Sequence, residues 1–393
     1  MLFSIALIFI LGFLISGIFN HLKIPGLLGM IFIGVILGPH TLNLLDQELL
    51  TISEDLRELA LIVILLRAGL SLNLSDLKRV GRPAVLMAFI PAILELTIIT
   101  LLAPILLGVT YLEAAIMGAV VAAVSPAVVV PRMIKLIDEG YGRKKSIPQL
   151  IMASASVDDI FVIVLFTAFM GMHAGDGSSV KLLSTIPISI ILGIVLGIIV
   201  GFILVKIFKV IKTRETVKIL IILSVAFILV SLGESLKDIV PISGLLSVMA
   251  LGITVLELND KLGKSLLEGY SKIWIGAEVL LFVLVGAEVN IASVPQIGLM
   301  AVILILSAML FRVIGVNISL IKTKLNKKER IFSSIAYLPK ATVQAAIGAI
   351  PLARGVEAGS VILSVAVLAI LLTAPLGAIG IDSSYRRLLD GDK

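Results

Sequence analysis

Two adjacent carboxylates, Asp158 and Asp159, interrupt a stretch that is otherwise uncharged, from Met152 to Val157 before them and from Ile160 to Phe169 after. Three more charged residues sit in similar surroundings: Glu95 in Pro91-Ala92-Ile93-Leu94-Glu95-Leu96, Arg312 in Leu310-Phe311-Arg312-Val313, and Lys340 beside Pro339. Burial and a like neighbour both oppose ionisation of a carboxyl, and a nearby ammonium favours it. An acid balanced between these influences takes up either a proton or a hard monovalent cation, and mutual exclusion at one site couples the two flows. The signs suggest Glu95 with Arg312 as a closed, architectural pair and Lys340 facing the aspartates. Neighbouring residues on a helix diverge by about 100°, so one aspartate can meet a base while the other faces a cavity. Ser125, Ser154 and backbone carbonyls freed near Ser125 are candidate oxygen ligands for the cation.

The elements that carry these residues must lie in lipid. The chain has 393 residues, 59% hydrophobic and 15% charged, with a mean hydropathy of +1.18, whereas soluble domains are nearer half apolar and a quarter charged. A charge near the bilayer centre costs ~2.5–3.5 kcal/mol, so five left unpaired would cost ~12–18 kcal/mol; they must compensate one another. Cysteine is absent, which removes disulfide and thiolate chemistry. No metal-ligand spacing, nucleophile elbow or phosphate loop occurs, and His21, His40 and His173 fall at segment ends. These features predict no enzyme chemistry, no cofactor and no ATP-driven pumping. The formal charge of +6 is spread over short loops, as for contact with anionic lipid headgroups rather than nucleic acid.

Apolar runs of about 17–25 residues, the length that crosses ~30 Å of hydrocarbon, recur about thirteen times: 2–20, 25–40, 56–72, 84–108, 112–136, 147–172, 184–211, 215–234, 240–257, 273–290, 296–321, 330–352 and 357–380. The first is read as a retained span. With the N-terminus outside, all but seven of the 32 Lys and Arg residues become cytoplasmic, among them Lys78, Arg79, Lys145, Lys212 and the Lys322 to Arg330 cluster. Lys181, Lys237 and Arg354 lie outside; Arg57, Arg67, Arg312 and Lys340 lie in or near spans. Arg67 reads as a snorkelling residue with Glu278 as its candidate partner, and Glu288 lies near a span end. Gly193, Gly197 and Gly201 form a small-residue stripe for close helix contact.

Ser125-Pro126 interrupts the fifth run and Leu338-Pro339-Lys340 the twelfth. An offset of seven spans reverses orientation, so the chain reads as one transmembrane domain, residues 1–393, of two inverted-topology repeats, about 2–172 and 215–380, with 184–211 as linker. Glu95 and Arg312 keep the same offset.

Four stretches now carry a resemblance: Leu65 to Leu70, Val124 to Pro131, Ser156-Val157-Asp158-Asp159-Ile160, and Leu338 to Ala346. In order and type they resemble the monovalent cation/proton antiporters, in particular the NHA-type sodium/proton branch that includes mammalian members. The resemblance implies an all-α membrane protein of the NhaA-like antiporter fold, with crossed broken helices beside the acids and Lys340 on one of them. It implies that Asp159 is the principal ion and proton carrier and Asp158 its partner. It also implies elevator-type alternating access and a homodimer. The expected location is the plasma (inner) membrane of a prokaryotic cell. Many bacterial relatives carry lysine where Arg312 falls, and arginine cannot give up its proton as lysine can. The expected activity is sodium or lithium exchange for protons. Potassium/proton exchange, an organic anion symporter on the same scaffold and a gated channel are the alternatives.

Overall fold

The computed structural model describes residues 1–22, 24–72, 80–174, 179–211, 213–236, 240, 242–290 and 294–391, with backbone alone at 174, 179–187 and 294–297. Lys78, Arg79, Lys212 and Lys237 lie outside the described residues, as does the Lys181 side chain. Among the described residues the regular structure is helical, apart from an isolated bridge between Tyr141 and Gly391. Nine described helices, or broken pairs of helices, are long and apolar enough to cross a membrane. The expected spans 25–40, 56–72, 240–257 and 330–352 fall outside that set. Two of them meet helices of only 12 and 15 residues, one meets a helix with a charged first half, and the last is broken.

The chain forms two compact units. The first contains residues 1–54, 76–169 and 279–393 and carries every charged site residue named above. Its helices are α1 (Leu2–His21), α2 (Gly26–Leu37), α3 (Gln47–Thr51) and the start of α4 (Ser53–Ser71), followed by two series of the same order. The first series begins with the long α5 (Arg82–Leu107), which stops at Gly108 in the left-handed conformation (φ 69°). Next comes α6 (Tyr111–Val121), opened by a capping box in which Thr110 and Glu113 satisfy each other's backbone N–H groups. Residues 122–125 are not helical; α7 (Pro126–Asp138) and then α8 (Ile147–Ala174) follow.

The second series repeats the pattern. It runs through α13 (Val294–Ser319), a capping box from Asn326 and Glu329, α14 (Lys327–Ala336), a break at 337–341, the short α15 (Thr342–Ile347) and α16 (Ile350–Ala353), and α17 (Gly359–Leu388). Proline explains the breaks: Pro126 has no N–H for the Ala122 carbonyl four residues back, and a residue preceding proline avoids helical backbone. Ser125 is accordingly extended (φ −88°, ψ 110°). Helices α5 and α13 pack closely because Gly315 has no side chain; a Cβ there would stand 2.6 Å from the Pro91 Cα.

The core around the breaks is apolar, drawing on Val124, Val129, Met133, Ile151, Phe332 and Tyr337 among others. Glu329 is tied by two 2.8 Å contacts to Lys145, just before α8. Glu113 accepts a 2.9 Å bond from the Ala358 N–H, just before α17. The half-helix before each break is thus fastened by its own capping carboxylate to the start of the long helix in the other series.

The second unit contains residues 55–75 and 170–278: most of α4, the tail of α8, α9 (Ser179–Val210), α10 (Glu215–Ser235), α11 (Gly244–Leu258) and the first part of α12 (Asp260–Ala287). Here the glycine stripe has its place. Gly193, Gly197 and Gly201 of α9 face α11, and a Cβ on Gly193 would lie 2.6 Å from the Ser243 carbonyl oxygen. Arg67 stacks over the Trp274 ring at 5.4 Å, a cation–π contact in addition to the expected neighbour Glu278. Helix α12 starts well before the expected 273–290 span; its charged first turns hide it from a hydropathy reading.

Candidate functional site

The two breaks meet. The Ser125 N–H donates to the Pro339 carbonyl at 2.8 Å, and the Ser125 and Thr342 hydroxyls lie 3.4 Å apart. The Lys340 N–H donates to the Thr373 hydroxyl of α17 at 2.9 Å. Extended backbone this deep has no ladder of its own, so its polar groups need side-chain partners.

Arg312 supplies several of those partners. From α13 its Nε donates to the Tyr337 carbonyl at 2.6 Å, at one break, and its Nη1 donates to the Ala122 carbonyl at the other. The latter is the carbonyl that Pro126 cannot serve. Nη1 also meets Glu95 Oε2 at 2.6 Å and Nη2 meets Asp158 Oδ2 at 2.9 Å, and the guanidinium lies 4.9 Å from the Tyr337 ring centre. Asp158 Oδ2 in turn accepts the Val124 N–H at 2.7 Å. Lys340 Nζ reaches Glu95 Oε2 at 2.6 Å.

The expected pairing is therefore corrected in part. Glu95 and Arg312 do pair, but the pair is not closed, and Lys340 lies on Glu95 rather than on the aspartates. One oxygen of Glu95 holds both cations, and the fork of the guanidinium leaves an amino group for Asp158. The result is one continuous chain, Lys340–Glu95–Arg312–Asp158, whose formal charges cancel. All four side chains are at most 1% exposed. The fifth group is left over. Asp159 is 6% exposed, makes no hydrogen bond or ion pair with any described residue, and its Oδ1 is buried without a partner.

The other candidate ligands stand differently. Ser154 turns its hydroxyl back onto its own helix, donating to Leu150 O at 2.6 Å, and Ser125 is engaged at the crossing. The carbonyls expected to be freed at the first break are occupied: Gln344 Nε2 donates to Val121 O at 3.2 Å and to Ala123 O at 2.9 Å, and Arg312 takes Ala122 O. Gln344 and Thr373 are the residues that sequence reasoning missed. The available signal was a wholly buried amide in the apolar run Ala341 to Ala349, because such a group needs partners.

With this geometry in view, the likeness to known proteins is specific. The family model described as "Sodium/hydrogen exchanger, transmembrane" matches residues 5–383. Sodium/hydrogen exchanger 9B2 of Mus musculus is 34% identical over 399 residues, covering 96% of this chain and 72% of that protein. The Homo sapiens protein of the same name is 34% identical over 380 residues, covering 93% and 70%. Among solved structures, the sodium proton antiporter MjNhaP1 from Methanocaldococcus jannaschii superposes with a TM-score of 0.85 at 23% identity, over 98% of this chain and 97% of that one; this likeness speaks to the fold. The chain belongs to the sodium/hydrogen exchanger family: it is a multi-pass membrane transporter rather than an enzyme, with sodium ions and protons as its substrates.

Proposed function

We propose that this exchanger carries sodium or lithium out of the cell against protons by letting the two compete for Asp159, with Asp158 as its fixed partner. The supporting observation is the charge left over at the site. Four buried groups neutralise one another, and Asp159 has no cation of its own, so its ionised form calls for a mobile one. A proton and a dehydrated monovalent cation both satisfy that need, and each excludes the other. The bonds on Asp158 favour a standing role for it, and Ser125 and Ser154 are further candidate oxygen ligands.

The reading includes one transmembrane domain of inverted repeats, about 2–172 and 215–380 with 184–211 as linker. The recurrence of long helix, capping box, broken pair and long helix supports it. We also propose an elevator-type movement, a homodimer, a plasma-membrane location and an N-terminus outside. The basic residues at one set of helix ends favour that orientation.

The test is proton flux in sealed vesicles after addition of sodium, lithium or potassium. Sodium and lithium are expected to drive flux. Acidifying the sodium side should raise the half-saturating sodium concentration without changing the maximal rate, as competition requires. Flux driven by potassium alone would replace the cation, and flux that ignores pH would replace exchange by a channel.

A further inference from the structure

The first break is held by side chains from the second half of the chain, and Gln344 holds it at two points. The Ala123 carbonyl and the Val124 N–H belong to one peptide unit. The peptide is trans, so the two groups point in opposite directions. Gln344 Nε2 donates to the carbonyl at 2.9 Å, and the N–H donates to Asp158 Oδ2 at 2.7 Å. The sequence of bonds is Gln344 N–H to Ala123 O, through the peptide, and Val124 N–H to Asp158. Donation to an amide oxygen polarises the amide and strengthens the bond that its N–H makes, by ~10–30% per bond.

The second bond of Gln344, to Val121 O, fixes the amide plane. Turning the amide over would set its oxygen against two carbonyls, so the orientation is determined, and Oε1 is left facing away, buried and unpartnered. The side chain is wholly buried. It lies in the first turn of α15, the helix that follows the second break, so it also links the two breaks.

Resting on the assignment of the aspartate pair as the exchange site, we infer that Gln344 is a positioning residue for that site: it acts through the 123–124 peptide to hold Asp158 and does not touch the ion. With the donor removed, the peptide is free to turn about its backbone bonds in a stretch that has no helical ladder. Asp158 then loses one of its two fixed partners, keeps only Arg312, and shifts relative to Asp159. The site's affinity for sodium falls, while the steps that carry the loaded site across the membrane keep their rate.

The experiment uses the full chain in vesicles with sodium as the probe, comparing wild type, Gln344→Met and Gln344→Glu. Methionine matches the length and donates nothing; glutamate keeps an oxygen and, ionised, donates nothing. For both variants the half-saturating sodium concentration is expected to rise about fivefold, the factor corresponding to one hydrogen bond of ~1 kcal/mol. Maximal flux should change less than twofold, and Gln344→Met should melt within a few degrees of wild type in detergent, whereas the ionised glutamate, set against two carbonyls, should melt lower. Unchanged half-saturation in both variants would overturn the inference. So would tighter sodium binding by Gln344→Glu, which would make the side chain a direct ligand, or failure of Gln344→Met to fold, which would make it architectural. A wild type without sodium-driven flux would instead remove the antiport reading itself.

Discussion

Glu95 holds two cations on one oxygen, so its loss should destabilise the fold. Removing one member of a buried ion pair typically costs about 3–5 kcal/mol because the remaining charge is stranded. Glu95→Gln strands Lys340 more completely than Arg312, since Arg312 keeps Asp158 and two carbonyls while no other acid contacts Lys340 Nζ among the described residues. Adding Lys340→Met to Glu95→Gln should therefore recover more thermal stability than adding Arg312→Gln. Equal recovery from the two double variants, measured as melting temperature in detergent, would contradict the charge chain. The residue types and their common depth were legible from the sequence, because charges in apolar runs are conspicuous. Their partners were not. Which base meets which acid depends on how α13 is rotated relative to the breaks, and hydropathy does not encode that angle.

At the scale of elements, the two proline-marked interruptions were legible and fall where they were expected. The half-helix before each break has its own start signal. Capping boxes at Thr110-x-x-Glu113 and Asn326-x-x-Glu329 match a known sequence pattern, and the partner beyond the cap is the part only structure supplies. Asn326→Ala should lower stability by about 1 kcal/mol, the ordinary loss of an N-cap. Glu329→Ala should lower it further, because Lys145 and the Asn326 N–H lose their acceptor together; thermal unfolding of the two variants side by side checks the order. In the second unit, Gly197 faces the Ser247 carbonyl with no room for a Cβ. Gly197→Val should separate α9 from α11 and lower the melting temperature by more than ten degrees, whereas Gly17→Ala, with open space around it, should leave it unchanged. Helix ends were the least legible feature: α12 begins at Asp260 and α17 runs on to Leu388, because polar turns continue a helix without a hydropathy signal.

At the scale of the whole molecule, the absence of cysteine makes orientation directly testable. A single cysteine at Lys144 should react with an impermeant thiol reagent only from the cytoplasmic side, and one at Arg354 only from outside. The opposite pattern would invert the topology. The central claim concerns Asp159, the buried carboxylate left without a cation when the other four charges of the site are matched. The most direct measurement is sodium-driven proton flux in vesicles of Asp159→Asn, with folding verified by its melting temperature. The account predicts a folded protein with no exchange at any sodium concentration. Wild-type exchange by that variant would contradict it.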